Sequence, residues 1–284
     1  MSVLFCDSNS ELWYTRADEL GLKVIGMPYN IDDDDEKDYD LGRNTDFDDF
    51  YNRIKAGSVA KTSALNVQNY IDYFEPVLAS GQDVLYIHFS HNMSGTFEYM
   101  KQAIEILKEK YPNQNVKYVD TLRISIAEAL LVYEAGKLWK NGASDEEIID
   151  YIEKNREKQK IYFLVDDLGH LKRGGRLSST SCFFGTMLNI KPVLKMDEEG
   201  KIVKHGVAKG RKKGIQQLFE FAKSADVNYP IWIAHAQAEN DAIELKSLLE
   251  KFFNNKVEVW VQPIGPTVGT HCGPGTLGVS YREK

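Results

Sequence analysis

The sequence predicts an α/β protein of two domains, and three observations carry that expectation. Short apolar runs rich in Val, Ile, Tyr and Phe alternate along the chain with longer segments of helical spacing, the pattern of strands and helices packed in layers. In the second half, IKPVLKM at 190–196 and KIVKHGVA at 201–208 flank DEEG, which reads as a β-hairpin and brings antiparallel pairing into that half. With 284 residues and 43% hydrophobic content, the chain can bury a substantial core and is long enough for two domains.

The elements follow in order from local pattern. VLYIHF at 84–89 is a buried strand, and Phe97, Met100, Ile104 and Leu107 recur after it with lysines and glutamates between them, which predicts an amphipathic helix over one sheet face. VKYV at 116–119 is the next strand. From Ile124 to Trp139 the residues are apolar almost all round, so that helix is expected to be deeply packed, with Glu128 and Glu134 on a thin solvent-facing edge. Ser144 and Glu147 form a capping box that opens a short helix, and the charged stretch NREKQK at 155–160 closes it. The domain boundary is placed there, giving residues 1–158 and 159–284. Beyond it come the strand IYFLV at 161–165 and the hairpin, where Gly200 supplies the unusual backbone angle. Helices over roughly 211–224 and 239–253 then lead into the strands IWIA at 231–234 and VEVWV at 257–261.

Composition excludes several functions. A net charge of -7 argues against a sequence-independent grip on phosphate backbones, so no nucleic acid partner is expected. No window approaches the roughly 18 uninterrupted apolar residues of a membrane span, and MSVLFCDSNSELWY lacks the basic and apolar regions of a leader. The expectation is a cytoplasmic protein without stable membrane insertion. Cys6, Cys182 and Cys272 are odd in number and far apart, which indicates neither a disulfide framework nor a zinc site. The acidic run at 32–35 lacks the spacing of a calcium loop and reads as a solvated, self-repelling loop. Neither a Walker A segment nor a GxGxxG after a first strand is present, so neither a metal nor a cofactor is expected.

Four segments carry chemistry. GPTVGTHCGPGTLG at 265–278 surrounds the single imidazole of His271 with five glycines and two prolines, residues that fold a backbone tightly and let it approach a ligand. The strand at 84–89 runs into a turn containing Ser90, Ser94, Gly95 and Thr96 ahead of a helix. Such a turn either receives an anionic head group or simply caps the helix. Lys61, Thr62 and Ser63 precede a helical stretch near Asn66 and admit the same two readings. LKRGGRLSS at 171–179 places Lys172, Arg173 and Arg176 around a two-glycine turn, and Lys209, Arg211, Lys212 and Lys213 open a later helix. These cations either pair with phosphate or carboxylate or stand solvated.

Together, DSNSEL at 7–12, KTS at 61–63, SGT at 94–96, VDTL at 119–122, LKRGGRL at 171–177, LNIKPVL at 188–194 and IGPTVGTHCGPGTLGV at 264–279 resemble the DegV family across nearly the whole chain. The resemblance implies a two-domain α/β fold. It comprises an N-terminal domain with a mostly parallel sheet, a C-terminal domain with a mixed sheet, and a ligand tunnel between them. It implies a carrier of one long-chain fatty acid that, as in the members called FakB, presents the acid to a fatty acid kinase for acyl-phosphate formation. The family's carboxylate-holding threonine, serine and histidine fall on Thr62, Ser94 and His271, with Ser63, Gly95, Thr96 and Ser90 shaping the same pocket. Arg176 and Arg211 match arginines associated with acyl-phosphate handling or kinase docking. The chain departs from the family at Ser90, His91, Asn92 and Met93 and at ISIAEAL, where Glu128 falls, which leaves the acyl length and saturation open.

Physical chemistry is compatible with that reading. A carboxylate leaving water needs several donors, and two hydroxyls, an imidazole and helix-terminal amides supply them. A C16 to C18 tail, at ~0.8 kcal/mol per buried methylene, offers on the order of 11 to 13 kcal/mol of gross burial. The alternative is a serine-dependent esterase or acyltransferase with Ser94 as nucleophile and His271 as base, although Ser94 lacks the GxSxG elbow.

Overall fold

The computed structural model describes residues 2–177 and 190–284; Cys182, with Ser178, Ser179, Leu188 and Asn189 of the quoted motifs, lies outside the described residues. The strands are β1 (Val3–Asp7), β2 (Lys23–Ile25), β3 (Pro28–Ile31), β4 (Lys37–Asp38), β5 (Ala60–Thr62), β6 (Val84–His88), β7 (Val116–Asp120), β8 (Gln159–Leu164), β9 (Ile190–Met196), β10 (Ile202–Lys209), β11 (Ile231–His235), β12 (Val259–Pro263) and β13 (Leu277–Arg282). The helices are α1 (Tyr14–Leu20), α2 (Phe47–Lys55), α3 (Val67–Ala79), α4 (Thr96–Lys110), α5 (Ile126–Lys140), α6 (Asp145–Asn155), α7 (Gly169–Arg173), α8 (Arg211–Ala222), α9 (Glu239–Phe252) and α10 (Pro266–Cys272).

Three sheets result. The first has the order β2-β1-β6-β7 with every pair parallel, and β6 is buried along its whole length, as a strand covered on both faces must be. The second has the order β10-β9-β8-β13-β11-β12 and is mixed, because β11 and β12 run parallel while the other pairs are antiparallel. The expected parallel and mixed halves are therefore both present. The run-by-run reading left out β1, β2, β13 and the small antiparallel sheet β4-β3-β5, the last with strands of two to four residues that are too short to display a period.

Helices α3 and α4 pack together on the parallel sheet's outer side, and α8 and α9 cover the far face of the mixed sheet. Between the sheets lies α5, which contacts β1 on one side and β8, β11 and β13 on the other. That double contact explains why its sequence is apolar almost all round. It also corrects the expected solvent-facing edge: Glu128 is 0% exposed, while Glu134 pairs with Lys137 at 3.1 Å. The capping box of α6 forms as expected, with Glu147 N donating to Ser144 Oγ and Ser144 N donating to Glu147. The hairpin turn places Gly200 at φ 78.

Within the glycine-rich segment, residues 266–272 form the helix α10, with Pro266 at its first position and Gly273 at φ 75 just past its end, the ordinary places for proline and glycine. Asp32 and Asp34 of the acidic run both pair with Arg53.

Candidate ligand-binding site

A cavity of about 920 Å³ of atom-free space, mouth included, lies between the loops that follow β1 and β6 and the inner face of the mixed sheet. The wall is mostly apolar: Ile161 and Phe163 of β8, Met196, Ile202, Phe89 and Ile126 all line it. Strand alternation sets this face. Ile161 and Phe163 point inward, while Tyr162 between them turns to α8 and stacks on Phe221 at 4.3 Å.

One end is polar. Thr62, Ser63, Ser94, Arg176 and His271, spread over more than two hundred positions of sequence, line the same cavity. Thr62 ends β5 and stands opposite Tyr29 of β3. Its Oγ1 lies 2.9 Å from His271 Nε2. Neither Thr62 nor Ser63 caps α3, because Asn66 does so with a reciprocal bond to Asn69; Ser63 instead donates to Glu36. Ser94 Oγ accepts from Thr96 N at 3.3 Å. Ser94 is thus a wall residue whose hydroxyl also meets the first residue of α4, although the N-cap itself is Gly95, which has no side-chain cap.

His271 sits on α10, close against the turn after α7. A Cβ at Gly174 would overlap His271 Nδ1, so the absent side chain there lets the ring approach the backbone. Burial first, and the charge of Arg176 second, push His271 down to about 4. The imidazole is therefore neutral near pH 7 and carries one donor and one acceptor nitrogen. Its Nδ1 is buried and has no partner among the described residues.

Arg176 donates from Nε to Met93 O at 2.9 Å and from Nη1 to Gly174 O. Thr62, Arg176 and His271 also form the inner wall of a surface groove completed by Lys61, His170, Arg173 and Thr270. Among the described residues, Lys61, Arg173 and Arg176 make no ion pair with a carboxylate. A neutral imidazole, two hydroxyls and a guanidinium at the polar end of an apolar cavity can hold one anionic oxygen pair.

Other expected residues fall elsewhere. Gly95 is exposed, and a Cβ there would meet nothing within 4 Å. Thr96 is buried against Tyr70 Oη at 2.9 Å and donates to Leu65 O at 3.2 Å, and Ser90 donates to Gly200 O at 2.8 Å. All three serve local architecture, and none lines the cavity. Arg211 is also away from it, bonded to Asp241 at 2.7 Å, to Asp166 at 3.3 Å and to Gly275 O at 2.6 Å. Glu128 does not line the cavity, but Met93, Ile124, Ser125 and Ile126 of the departing stretches do. Asn9, Met27 and Thr267 line it without having been singled out. For Asn9 and Thr267 the signal was their place inside the motifs at 7–12 and 264–279, whereas Met27 offered none.

The family model described as "uncharacterised protein, DegV family" matches residues 2–284. A DegV domain-containing protein of Clostridium perfringens is 36% identical over 285 residues, covering 98% of this chain and 96% of the relative. Among solved structures, a fatty acid binding DegV family protein from Streptococcus agalactiae superposes with a TM-score of 0.86 at 29% identity, covering 100% of this chain and 99% of the other. DegV from Bacillus subtilis, described as a fatty acid binding protein, gives a TM-score of 0.84 at 29% identity over 99% of each chain.

Proposed function

The chain belongs to the DegV family, and from that premise we propose that it is a cytoplasmic carrier, not an enzyme, that holds one long-chain fatty acid in this cavity. The tail lies along the apolar wall between the halves 1–158 and 159–284, and the carboxylate sits at the Thr62, Ser94 and His271 end. One observation carries the reading: the 2.9 Å pairing of Thr62 Oγ1 with His271 Nε2 at the polar end of an otherwise apolar cavity. With the proton on Nε2, the imidazole donates to the Thr62 oxygen and leaves the threonine O–H free to donate to the carboxylate. Ser94 supplies a second donor and Arg176 the compensating charge.

The finer reading is that a fatty acid kinase takes this carboxylate as its phosphoryl acceptor. Its support is the family resemblance together with the groove of Lys61, Arg173 and Arg176, whose positive charge suits a phosphorylated partner ligand. Arg211, tied into its own ion pairs, would act as a docking residue outside the cavity. The esterase alternative lacks support in the geometry: His271 Nε2 faces Thr62 and not Ser94, and among the described residues no carboxylate orients Nδ1.

The deciding experiment is mass spectrometry of an organic extract of the purified protein, paired with palmitate titration of delipidated protein. One fatty acid per chain and saturable binding are expected. A lipid-free extract with no saturable binding, or p-nitrophenyl ester turnover abolished by Ser94→Ala, would overturn the reading.

A further inference from the structure

Glu11 closes the loop after β1 and is 0% exposed. One carboxyl oxygen accepts from the amide of Gly265 at 2.6 Å, and the other accepts from the Ser125 hydroxyl at 2.6 Å. Its backbone carbonyl accepts from Gln262 Nε2 at 2.7 Å, and Gln262 Oε1 in turn accepts from Trp232 Nε1 at 2.8 Å. The residue holds φ 55 and ψ 20, a left-handed backbone that a non-glycine residue keeps only when its surroundings enforce it. Glu11 thereby joins the first strand's loop, the start of α5 and the segment between β12 and α10.

That last junction opens the helix that carries His271. Gly265 is the N-cap of α10 and has no side chain to cap it, and its own amide is held by Glu11 from across the molecule. Tyr51 Oη donates to Ile264 O at 2.8 Å and holds the same junction from another side. Fewer than two helical turns further on stands His271, whose partner Thr62 belongs to a different sheet. A displaced start of α10 shifts the imidazole against β5, the strand that carries Thr62 and packs on α10.

We propose that Glu11 is a positioning residue for the head-group site: its carboxyl fixes where α10 begins and hence the distance between His271 and Thr62. The inference rests on the carboxylate site proposed above. The titratable groups that interact with Glu11 are Glu128, Tyr39, Tyr51 and Cys272, none of them cationic. Burial pushes Glu11 up to about 8, so the carboxyl is mostly neutral near pH 7. In that form the protonated oxygen donates to the Ser125 hydroxyl in place of accepting from it, and glutamine imitates this, its oxygen accepting from Gly265 and its NH₂ donating to Ser125. Aspartate, one methylene shorter, reaches only one of the two partners.

The test is a double-mutant cycle read as palmitate affinity, with Glu11→Gln, Glu11→Asp and Glu11→Ala each made with and without His271→Ala. Glu11→Gln is expected to bind within about twofold of the unsubstituted protein, Glu11→Asp about threefold more weakly and Glu11→Ala about tenfold more weakly. In the His271→Ala background the aspartate and alanine effects should shrink to less than about 1.5-fold, because the group being positioned is gone. Effects of equal size in both backgrounds, or no effect in either, overturn the proposal. If Glu11→Ala does not fold, Glu11→Asp decides by the same comparison. Failure of the unsubstituted protein to bind palmitate overturns the carboxylate site and this inference together; binding with an additive cycle overturns this inference alone.

Discussion

Thr62→Val tests the head-group site most directly, because valine keeps the branched shape at the end of β5 and deletes only the hydroxyl. Two losses follow from the geometry. The ligand loses a donor to its carboxylate, worth ~1.5 to 3 kcal/mol for a hydrogen bond to a charged group, which is about a 10- to 150-fold rise in Kd. The protein loses the partner of His271 Nε2, 2.9 Å away, on a ring whose Nδ1 is already unpartnered among the described residues. Leaving that buried nitrogen unsatisfied costs about 1 to 3 kcal/mol of stability. Isothermal titration with palmitate and urea unfolding, run side by side at pH 7, read the two losses separately. Thr62→Ser restores the hydroxyl and should recover most of both. Valine binding within twofold of the unsubstituted protein, or serine failing to recover what valine lost, would refute the assignment.

Four further outcomes are expected. Gly174→Ala should weaken palmitate binding by about tenfold with little backbone penalty, since the new Cβ overlaps His271 Nδ1 while Gly174 itself has φ -73; unchanged affinity would mean that the ring has room to move. Arg176→Ala should lower affinity and raise the His271 pKa toward its usual value by removing the facing charge, measurable by NMR titration. Arg211→Ala should spare affinity and cost about 1 to 3 kcal/mol in urea unfolding through its bonds to Asp166, Asp241 and Gly275. The reverse pattern would exchange the two arginines' roles. Finally, Glu11 is raised from 4.5 to about 8 by burial, so its contribution is full below about pH 4.5 and is lost as pH rises through 8. Glu11→Gln has no such loss, and its stability advantage should grow by roughly 1.4 kcal/mol per pH unit across that window. Asp7, raised to about 7, and His88 and His271, lowered to about 4, titrate in both proteins and cancel in the difference. An advantage that stays constant from pH 5 to pH 8 would contradict the burial argument.

Much of the fold was legible because strands, hairpins and caps are written in neighbouring residues. The runs at 84–89, 116–119, 161–165, 231–234 and 257–261 overlap β6, β7, β8, β11 and β12, and Ser144 with Glu147 announced α6. The resemblance, resting on several motifs in order, selected Thr62, Ser94, Arg176 and His271, all of which line one cavity. It also selected Gly95, Thr96 and Arg211, which do not, because motif membership cannot separate a residue that faces a ligand from one that holds the loop beside it. Thr96, buried against Tyr70, is of the second kind.

Local pattern thus determined which segments become strands and helices, because side-chain period, caps and turn residues act over a few positions. Tertiary structure alone decided what each face meets. The apolar surface of α5 was readable, but only the parallel sheet packed against it, bringing Asp7 of β1 and Asp120 of β7 near, turned Glu128 from an edge residue into a carboxylate with 0% exposure. Only the assembled layers carried Glu11 to the start of α10 and His271 to Thr62. Burial and hydrogen bonding depend on which distant segment arrives to exclude water, and no stretch of chain contains that information by itself.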